Sequence, residues 1–79
     1  MRLAYRIEIK NADGEVLGIA RNIKPDRWDV HRISKRGPQL VNVGREFNTA
    51  QVATILVLIK SETGYVTWEQ WKKLLRRVK

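Results

Sequence analysis

The sequence predicts a small α+β domain in which an N-terminal antiparallel sheet of three or four strands precedes two helices that pack on it. Three observations support this prediction. Polar and apolar residues alternate near the N-terminus, turn residues separate the short apolar segments up to residue 46, and two helix-capping patterns follow. The 79 residues suffice for one domain, and no repeat or long linker divides them, so we expect a single domain over residues 1–79.

A first hairpin is predicted from two alternating segments that flank a turn. LAYRIEIK alternates with a period of two, which is typical of a half-buried strand with Tyr5 in its apolar row. Asp13-Gly14 supplies the turn, because glycine readily adopts positive φ. EVLGIARNI would return with Arg21 near a sheet edge or an open end. Its predicted apolar side consists of Leu17, Ile19 and Ile23.

Residues 25–36 fit two interpretations. Pro25 and two early acids, followed by late basic residues and Gly37-Pro38, would punctuate a helix from Pro25 to Arg36. However, the apolar residues of this segment form no helical stripe, whereas Trp28 and Val30 would share one face of a strand. We therefore favour a second hairpin, with SKRGPQ as the turn into a strand at LVNV, and keep the helix as the alternative.

The first helix is predicted over residues 48–63. Asn48 can cap its N-terminus with Gln51 reaching back, while Phe47 and Val52 form a hydrophobic staple. Its apolar stripe widens over almost the whole circumference, which indicates a central helix covered on several sides and ended by Gly64. Such a helix also makes a homodimer possible.

The second helix is predicted over residues 67–79 by the same pattern. Thr67 caps with Gln70, and Val66 is the staple partner of Trp71. Trp68 lies at the edge of the apolar stripe that Trp71 begins. The basic residues fall on the opposite, outward face.

The charge balance favours acidic partners. Sixteen Lys and Arg against eight Asp and Glu give a formal net charge of +8, which points to nucleic acid first and to an acidic protein surface second. Two basic clusters could bind phosphates, one in HRISKRGP and one on the last helix. Tyr5, Trp28, Tyr65 and Trp68 are the rings that could stack on bases. The predicted contact residues are Arg27, Trp28, Arg32, Lys35, Arg36, Lys72, Lys73, Arg76 and Arg77.

Catalysis and metal binding are not expected. His31 is the single histidine and has basic neighbours, the carboxylates are scattered, and no nucleotide-binding or metalloprotease motif occurs. Without cysteine there is no disulfide and no thiolate metal site. The segment IKSETGYVTWEQ has the glycine spacing of a calcium loop but no carboxylate at its ligand positions. We therefore predict a non-enzyme without a cofactor or a metal.

The segment in which a basic hairpin leads through EFNTAQVA into a helix is similar to the small three-stranded DNA-binding domains of phage integrases. In those domains strands contact the major groove, and a Phe-x-Thr sequence starts the helix. The resemblance implies DNA binding but assigns no residue of this chain. A helix-turn-helix is disfavoured, because Trp68, Glu69 and Trp71 would occupy the turns that read bases.

The alternative function is a protein-binding inhibitor of viral or mobile-element type, which would block an acidic surface of an enzyme or a nucleoprotein complex through tryptophan and arginine anchors. The N-terminal residues lack the apolar stretch of a signal peptide, and QVATILVLIK is too short to cross a bilayer. We therefore expect a cytoplasmic protein that does not act at a membrane.

Overall fold

The computed structural model describes residues 6–41 and 46–78 of the chain. Its elements in chain order are β1 (Arg6–Lys10), β2 (Val16–Lys24), β3 (Arg27–Ser34), β4 (Gly37–Leu40), α1 (Thr49–Lys60) and α2 (Trp68–Arg76). The strands form one antiparallel sheet in the order β1-β2-β3-β4. The predicted α+β class, with the sheet first and two helices after it, is confirmed.

The second hairpin, formed by β3 and β4, decides the ambiguity at residues 25–36 in favour of strands. Ser34 pairs with Gly37, so Lys35 and Arg36 alone form the turn. Gly37 follows this turn with φ +103°, a conformation that glycine adopts without steric cost. The last strand therefore begins earlier than the predicted LVNV segment, of which Asn42 and Val43 lie outside the described residues.

One face of the sheet is covered by the helices. A row of directly paired residues crosses this face, and its burial decreases from Ile9 and Gly18, both buried, through the half-buried Arg32 to the exposed Gln39. The next row contains Ile7, Ala20 and Val30. On β1, the predicted alternation is confirmed for Ile7 and Ile9, whereas Tyr5 lies outside the described residues.

The predicted apolar side of β2 is wrong. Leu17 is buried, but Ile19 is only half-buried and Ile23 is 45% exposed. The small alternate residues Gly18 and Ala20 face the helices instead. Arg21 is exposed on the opposite face, whereas it was expected near an edge or an open end.

The reason for this inversion is the space that Trp71 of α2 needs. A Cβ atom placed on Gly18 would lie 3.1 Å and 3.2 Å from two carbons of the Trp71 six-membered ring, and 2.8 Å from the backbone oxygen of His31. Trp71 itself is 1% exposed. The indole therefore lies directly on the bare backbone of β2, where a larger residue could not fit.

Both helices begin as predicted. The side chain of Asn48 accepts a hydrogen bond from the Gln51 backbone, and the Gln51 side chain bonds the Asn48 backbone in return; Thr67 and Gln70 repeat this arrangement. Each reciprocal pair satisfies two backbone N–H groups that a helix N-terminus leaves unpaired. The staple residues Phe47, Val52, Val66 and Trp71 all belong to the single buried core cluster.

The first helix ends earlier than predicted and is less covered. α1 stops at Lys60 with Ser61 as its C-cap, and Gly64 lies in the following loop. The helix buries Val52, Ile55 and Ile59, whereas Val57 is 69% exposed. It is thus not a central helix covered on several sides, because only one face of a single sheet is available to it.

The second helix is also shorter than the predicted 67–79. α2 ends at Arg76, with Arg77 as its C-cap, and Lys79 lies outside the described residues. Trp71, Leu74 and Leu75 are buried, as is Val78 beyond the helix. The predicted apolar stripe is therefore confirmed.

Asn11 ties the first hairpin to the loop between the helices. Its side chain is buried, and its amide donates to the Gly64 carbonyl at 2.8 Å while its oxygen accepts from the backbone N–H groups of Asp13 and Glu15. Asp13 in turn accepts a hydrogen bond from the Gly64 N–H at 3.0 Å. These bonds fix the loop that carries Tyr65.

Asp26 ties the turn between β2 and β3 to the start of α1. Its carboxylate accepts a hydrogen bond from the Thr49 backbone at 2.9 Å. This bond, with a further one from the Thr49 side chain and the nearby charge of Arg27, lowers the pKa of Asp26 below its ordinary value. Asp26 also adopts φ +57°, which aspartate and asparagine tolerate better than most residues.

We predict that Gly18→Ala lowers the free energy of unfolding by about 1–3 kcal/mol, because overpacking forces shifts in neighbouring side chains and backbone. Urea unfolding followed by circular dichroism measures the loss. Gly14→Asn is the control for an added side chain without a packing clash, since nothing lies within 4 Å of an added Cβ; its φ of +81° adds a backbone strain that asparagine tolerates better than most residues. Equal stability of the Gly18 variant and the wild type would contradict the close packing of Trp71 on Gly18.

We predict that the stability difference between the wild type and Asp26→Asn depends on pH. A carboxyl whose pKa is lower in the folded state stabilises the fold at pH values above its unfolded pKa, and this contribution disappears as the pH falls through the folded value. The wild type should therefore be the more stable protein at pH 7, and its advantage should shrink below about pH 4. Urea unfolding of the wild type and the variant at pH 7 and at a pH below about 4 tests this. A stability difference that is the same at the two pH values would contradict it.

Candidate functional site

A basic groove lies between the turn that joins β3 to β4 and the loop that precedes α2. It has a volume of about 550 Å³ and is lined by Arg32, residues 34–39 and Tyr65. Three of these lining residues are cationic, and none is acidic. We call this depression the basic groove.

Arg32 is held in the basic groove by neutral partners. Its Nε donates to the Gln39 side-chain oxygen at 2.6 Å, and its Nη1 donates to the Tyr65 hydroxyl at 3.0 Å. Its Cζ lies 5.5 Å from the centre of the Trp68 ring. Among the described residues, Arg32 makes no ion pair with a carboxylate. The guanidinium is therefore fixed in position but retains its charge.

Trp68 joins the two basic clusters that the sequence predicted separately. Its ring lies beside Arg32 of β3, and Lys72 Nζ lies 5.8 Å from the ring centre. Cations at such distances are attracted by the electron-rich faces of the indole ring. Lys72 also forms an ion pair with Glu69 at 3.0 Å.

α2 carries further cations beside Trp68, whose ring centre lies 5.5 Å from Cζ of Arg32 in the basic groove. Trp68, Lys72 and Arg76 follow one another at four-residue spacing, so they form one row on the helix surface. Lys73 and Arg77, both exposed, follow Glu69 in the neighbouring row. We call Trp68, Lys72 and Arg76 the helix row.

Tyr65 supplies an exposed aromatic ring next to the fixed guanidinium. The residue is 57% exposed and lines the basic groove, while its hydroxyl accepts the hydrogen bond from Arg32. By contrast, Trp68 is half-buried and packs against the core. Tyr65 is thus the more accessible of the two rings.

Two predicted contact residues lie apart from this arrangement. Arg27, at the start of β3, forms an ion pair with Glu46 at 3.1 Å and lies about 16 Å along the strand from Arg32, at about 3.3 Å per residue. Trp28 is buried, and its indole N–H donates to the Thr49 hydroxyl at 3.0 Å. Its place is in the core.

Gln39 is a residue of the site that the sequence analysis missed. It orients Arg32 because β4 places it directly opposite Arg32 in the sheet. Ser34 contributes at the turn, where its hydroxyl donates to the Gly37 carbonyl at 2.7 Å and accepts a bond from the Arg36 N–H. The serine-turn-glycine sequence could have indicated Ser34, but the role of Gln39 depends on the strand register.

The opposite face of the sheet is not covered by the helices. It carries a smaller depression of about 360 Å³, lined by Arg6, Ile19, Arg21, His31 and Pro38. The strand register places Arg21 between Arg6 on β1 and Asp29 on β3. On the same face, Glu8 lies opposite Ile19. We call this surface the open face.

No group of three or more His, Cys, Asp or Glu residues that could hold a metal ion occurs in residues 6–41 and 46–78. His31, the single histidine of the sequence, lies on the open face next to Ile19 and Leu40. Within the same residues, neither helix has the length and apolar character needed to cross a membrane.

Comparison of the chain with protein-family models, with curated proteins and with solved structures finds no match.

Proposed function

We propose that the protein is a non-enzymatic nucleic-acid-binding protein whose binding surface is the basic groove together with the helix row. Arg32, Lys35 and Arg36 would contact phosphates from the sheet, and Lys72 and Arg76 would contact them from α2. Lys73 and Arg77 would add positive charge beside this path.

The observation that carries the proposal is the environment of Arg32. A guanidinium that is oriented by a tyrosine hydroxyl, an amide oxygen and an indole ring still has N–H donors for a ligand. Its charge is not cancelled by a carboxylate among the described residues. Arginine in a fixed orientation suits phosphate, because its planar fork matches two phosphate oxygens.

The flanking cations support the same ligand. Lys35 and Arg36 are exposed at the tip of a two-residue turn, where they can reach a polyanion without leaving the fold. Flexible surface cations of this kind release condensed counterions when they meet phosphates, which gives affinity that depends strongly on salt. The excess of eight positive charges over the whole chain acts in the same direction at longer range.

A second candidate function is binding to an acidic protein surface, in which the protein would block that partner. The net charge of +8 favours an acidic partner, and Ile23 and Leu40, which are 45% and 43% exposed, would add apolar contacts to a protein interface. Nuclease treatment of a purified complex separates the two candidates. A protein partner that stays bound without nucleic acid supports the second function.

We predict that Lys35→Gln/Arg36→Gln weakens binding to nucleic acid and reduces its salt dependence. Each lost phosphate contact lowers the slope of log K against log salt by about 0.7–0.9, so the double variant should lose roughly 1.5 from the slope. Fluorescence anisotropy with a labelled oligonucleotide over a salt series measures both quantities. Circular dichroism should be unchanged, because both residues are exposed at a turn.

The matched control for this prediction is Arg21→Gln/Lys24→Gln, which removes the same charge from β2. Arg21 lies on the open face and Lys24 near the turn between β2 and β3, so neither lines the basic groove. This control should change the slope little. An equal loss in both double variants would mean that binding follows net charge and not the basic groove.

We predict that Glu69→Gln increases the affinity for nucleic acid by about two- to fivefold, because it frees Lys72 from its ion pair to contact phosphate. The fold should tolerate the change, since an exposed ion pair contributes under about 1 kcal/mol to stability. The same anisotropy titration measures the change. Glu8→Gln is the control, because it also removes an acid that is paired with a lysine. The Glu8 carboxylate lies on the open face, 4.0 Å from Lys10 Nζ. A gain in the Glu8 variant alone would place the ligand on that face.

A further inference from the structure

We propose that the basic groove and the helix row select single-stranded over duplex nucleic acid, with one base stacked on Tyr65 and a neighbouring phosphate bound to Arg32. This inference rests on the proposed function and names the form of nucleic acid that the same site binds. The recognised chemistry is an unpaired base next to a phosphate, which single-stranded DNA and RNA both offer.

The pairing of Tyr65 with Arg32 is the basis of the inference. Tyr65 is 57% exposed, yet its hydroxyl is joined to the guanidinium by a hydrogen bond of 3.0 Å. An aromatic surface and a phosphate-binding group are thereby held side by side on two different elements. A single strand presents bases and phosphates in the same alternation, and its bases are free to stack on protein rings.

A duplex cannot use this arrangement in the same way. Its bases are stacked on one another, so their faces are hidden and the protein meets phosphates and base edges. Phosphate contacts alone would let the basic groove bind both forms. The exposed ring is therefore the element that distinguishes them.

The helix row gives the strand a path beyond Tyr65. From Trp68 to Arg76 the helix rises about 12 Å at 1.5 Å per residue, with Lys72 between them. Trp68 already has Arg32 and Lys72 beside its ring, so it positions these cations. Tyr65 remains the ring that a base can reach.

The open face lacks this combination. Its two arginines, Arg6 and Arg21, share the surface with Glu8 and Asp29, and the cross-strand pairing places Arg21 directly opposite Asp29. Arg21 also lies directly opposite Arg6, so this face carries paired cations as well as acids. The basic groove has Tyr65 among its lining residues, whereas the depression on the open face has no tyrosine, tryptophan or phenylalanine among its own described lining residues, so the basic groove is the better site for a strand.

The test is fluorescence anisotropy with labelled oligonucleotides of about 12 nucleotides, a length within the range that small single-strand-binding folds cover. Single-stranded DNA, single-stranded RNA and the DNA duplex of the same sequence are compared at one low salt concentration. We expect at least one single strand to bind about tenfold more tightly than the duplex, because stacking one base on an aromatic ring raises the affinity by about this factor. The DNA-to-RNA ratio then identifies the preferred source.

Three variants separate stacking from charge. Tyr65→Ala should lose about tenfold in affinity for the single strand, whereas Tyr65→Phe, which keeps the ring but loses the hydrogen bond to Arg32, should lose clearly less. Tyr65→Leu keeps a bulky apolar side chain without a π-face, so it should resemble Tyr65→Ala even if the alanine variant is destabilised. All three variants lack the hydroxyl that bonds Arg32, so inorganic polyphosphate, a polyanion without bases, should bind the three variants with equal affinity.

The outcomes distinguish the inference from the function on which it rests. If neither single strands nor duplex bind at low salt, the proposed function is wrong and the inference with it. If the duplex binds as tightly as the single strands, or if Tyr65→Leu keeps the wild-type affinity, only the selection of single strands is wrong. Weaker polyphosphate binding by Tyr65→Ala and Tyr65→Leu than by Tyr65→Phe would also overturn stacking, because the loss of the ring would then act through electrostatics.

Discussion

The packing of the Trp71 ring on Gly18 is the contact on which the rest of the structure depends. It is the point at which α2 lies directly on the sheet backbone, and the absence of a side chain at Gly18 allows it. Trp68, three residues earlier on the helix, then lies above the next residue of the same cross-strand row, Arg32. Lys72 follows one turn later, with its Nζ 5.8 Å from the centre of the Trp68 ring. A shift of the helix at Trp71 would therefore separate the cations of the sheet from those of the helix.

Two kinds of cation occur on the protein. Arg27 and Lys72 have carboxylate partners, Glu46 and Glu69, on the protein surface, and exposed pairs of this kind contribute little to stability. Arg32 is different, because its partners are neutral and fix the direction of its guanidinium without cancelling its charge. A charge held in this way is suited to a ligand. This difference, more than the number of basic residues, separates the basic groove from the open face, where Arg21 lies opposite Asp29.

Much of the fold could be predicted from the sequence because its signals are local. The capping residues Asn48 and Thr67 lie within three residues of the groups that they bond, and the turn at Gly37 is set by the glycine itself. Errors arose where a residue was judged by its hydrophobicity alone. Ile19 and Ile23 seemed better core residues than Gly18 and Ala20, but the packing of a large indole required the small side chains. The apolar residues of α1 suggested a covered helix, yet one sheet face can bury only one side of it.

The sequence by itself determined the order of strands and helices, both helix starts and the excess of positive charge, because each of these is encoded by neighbouring residues or by composition. The tertiary structure decided which basic residues act together. Arg32 and Tyr65 are 33 positions apart in the chain. Their hydrogen bond requires the strand register, the packing of Trp71 on Gly18 and the loop held by Asn11 all at once. No pattern within a short segment records that combination. The basic groove is therefore a property of the folded chain, since long-range packing brings its members together.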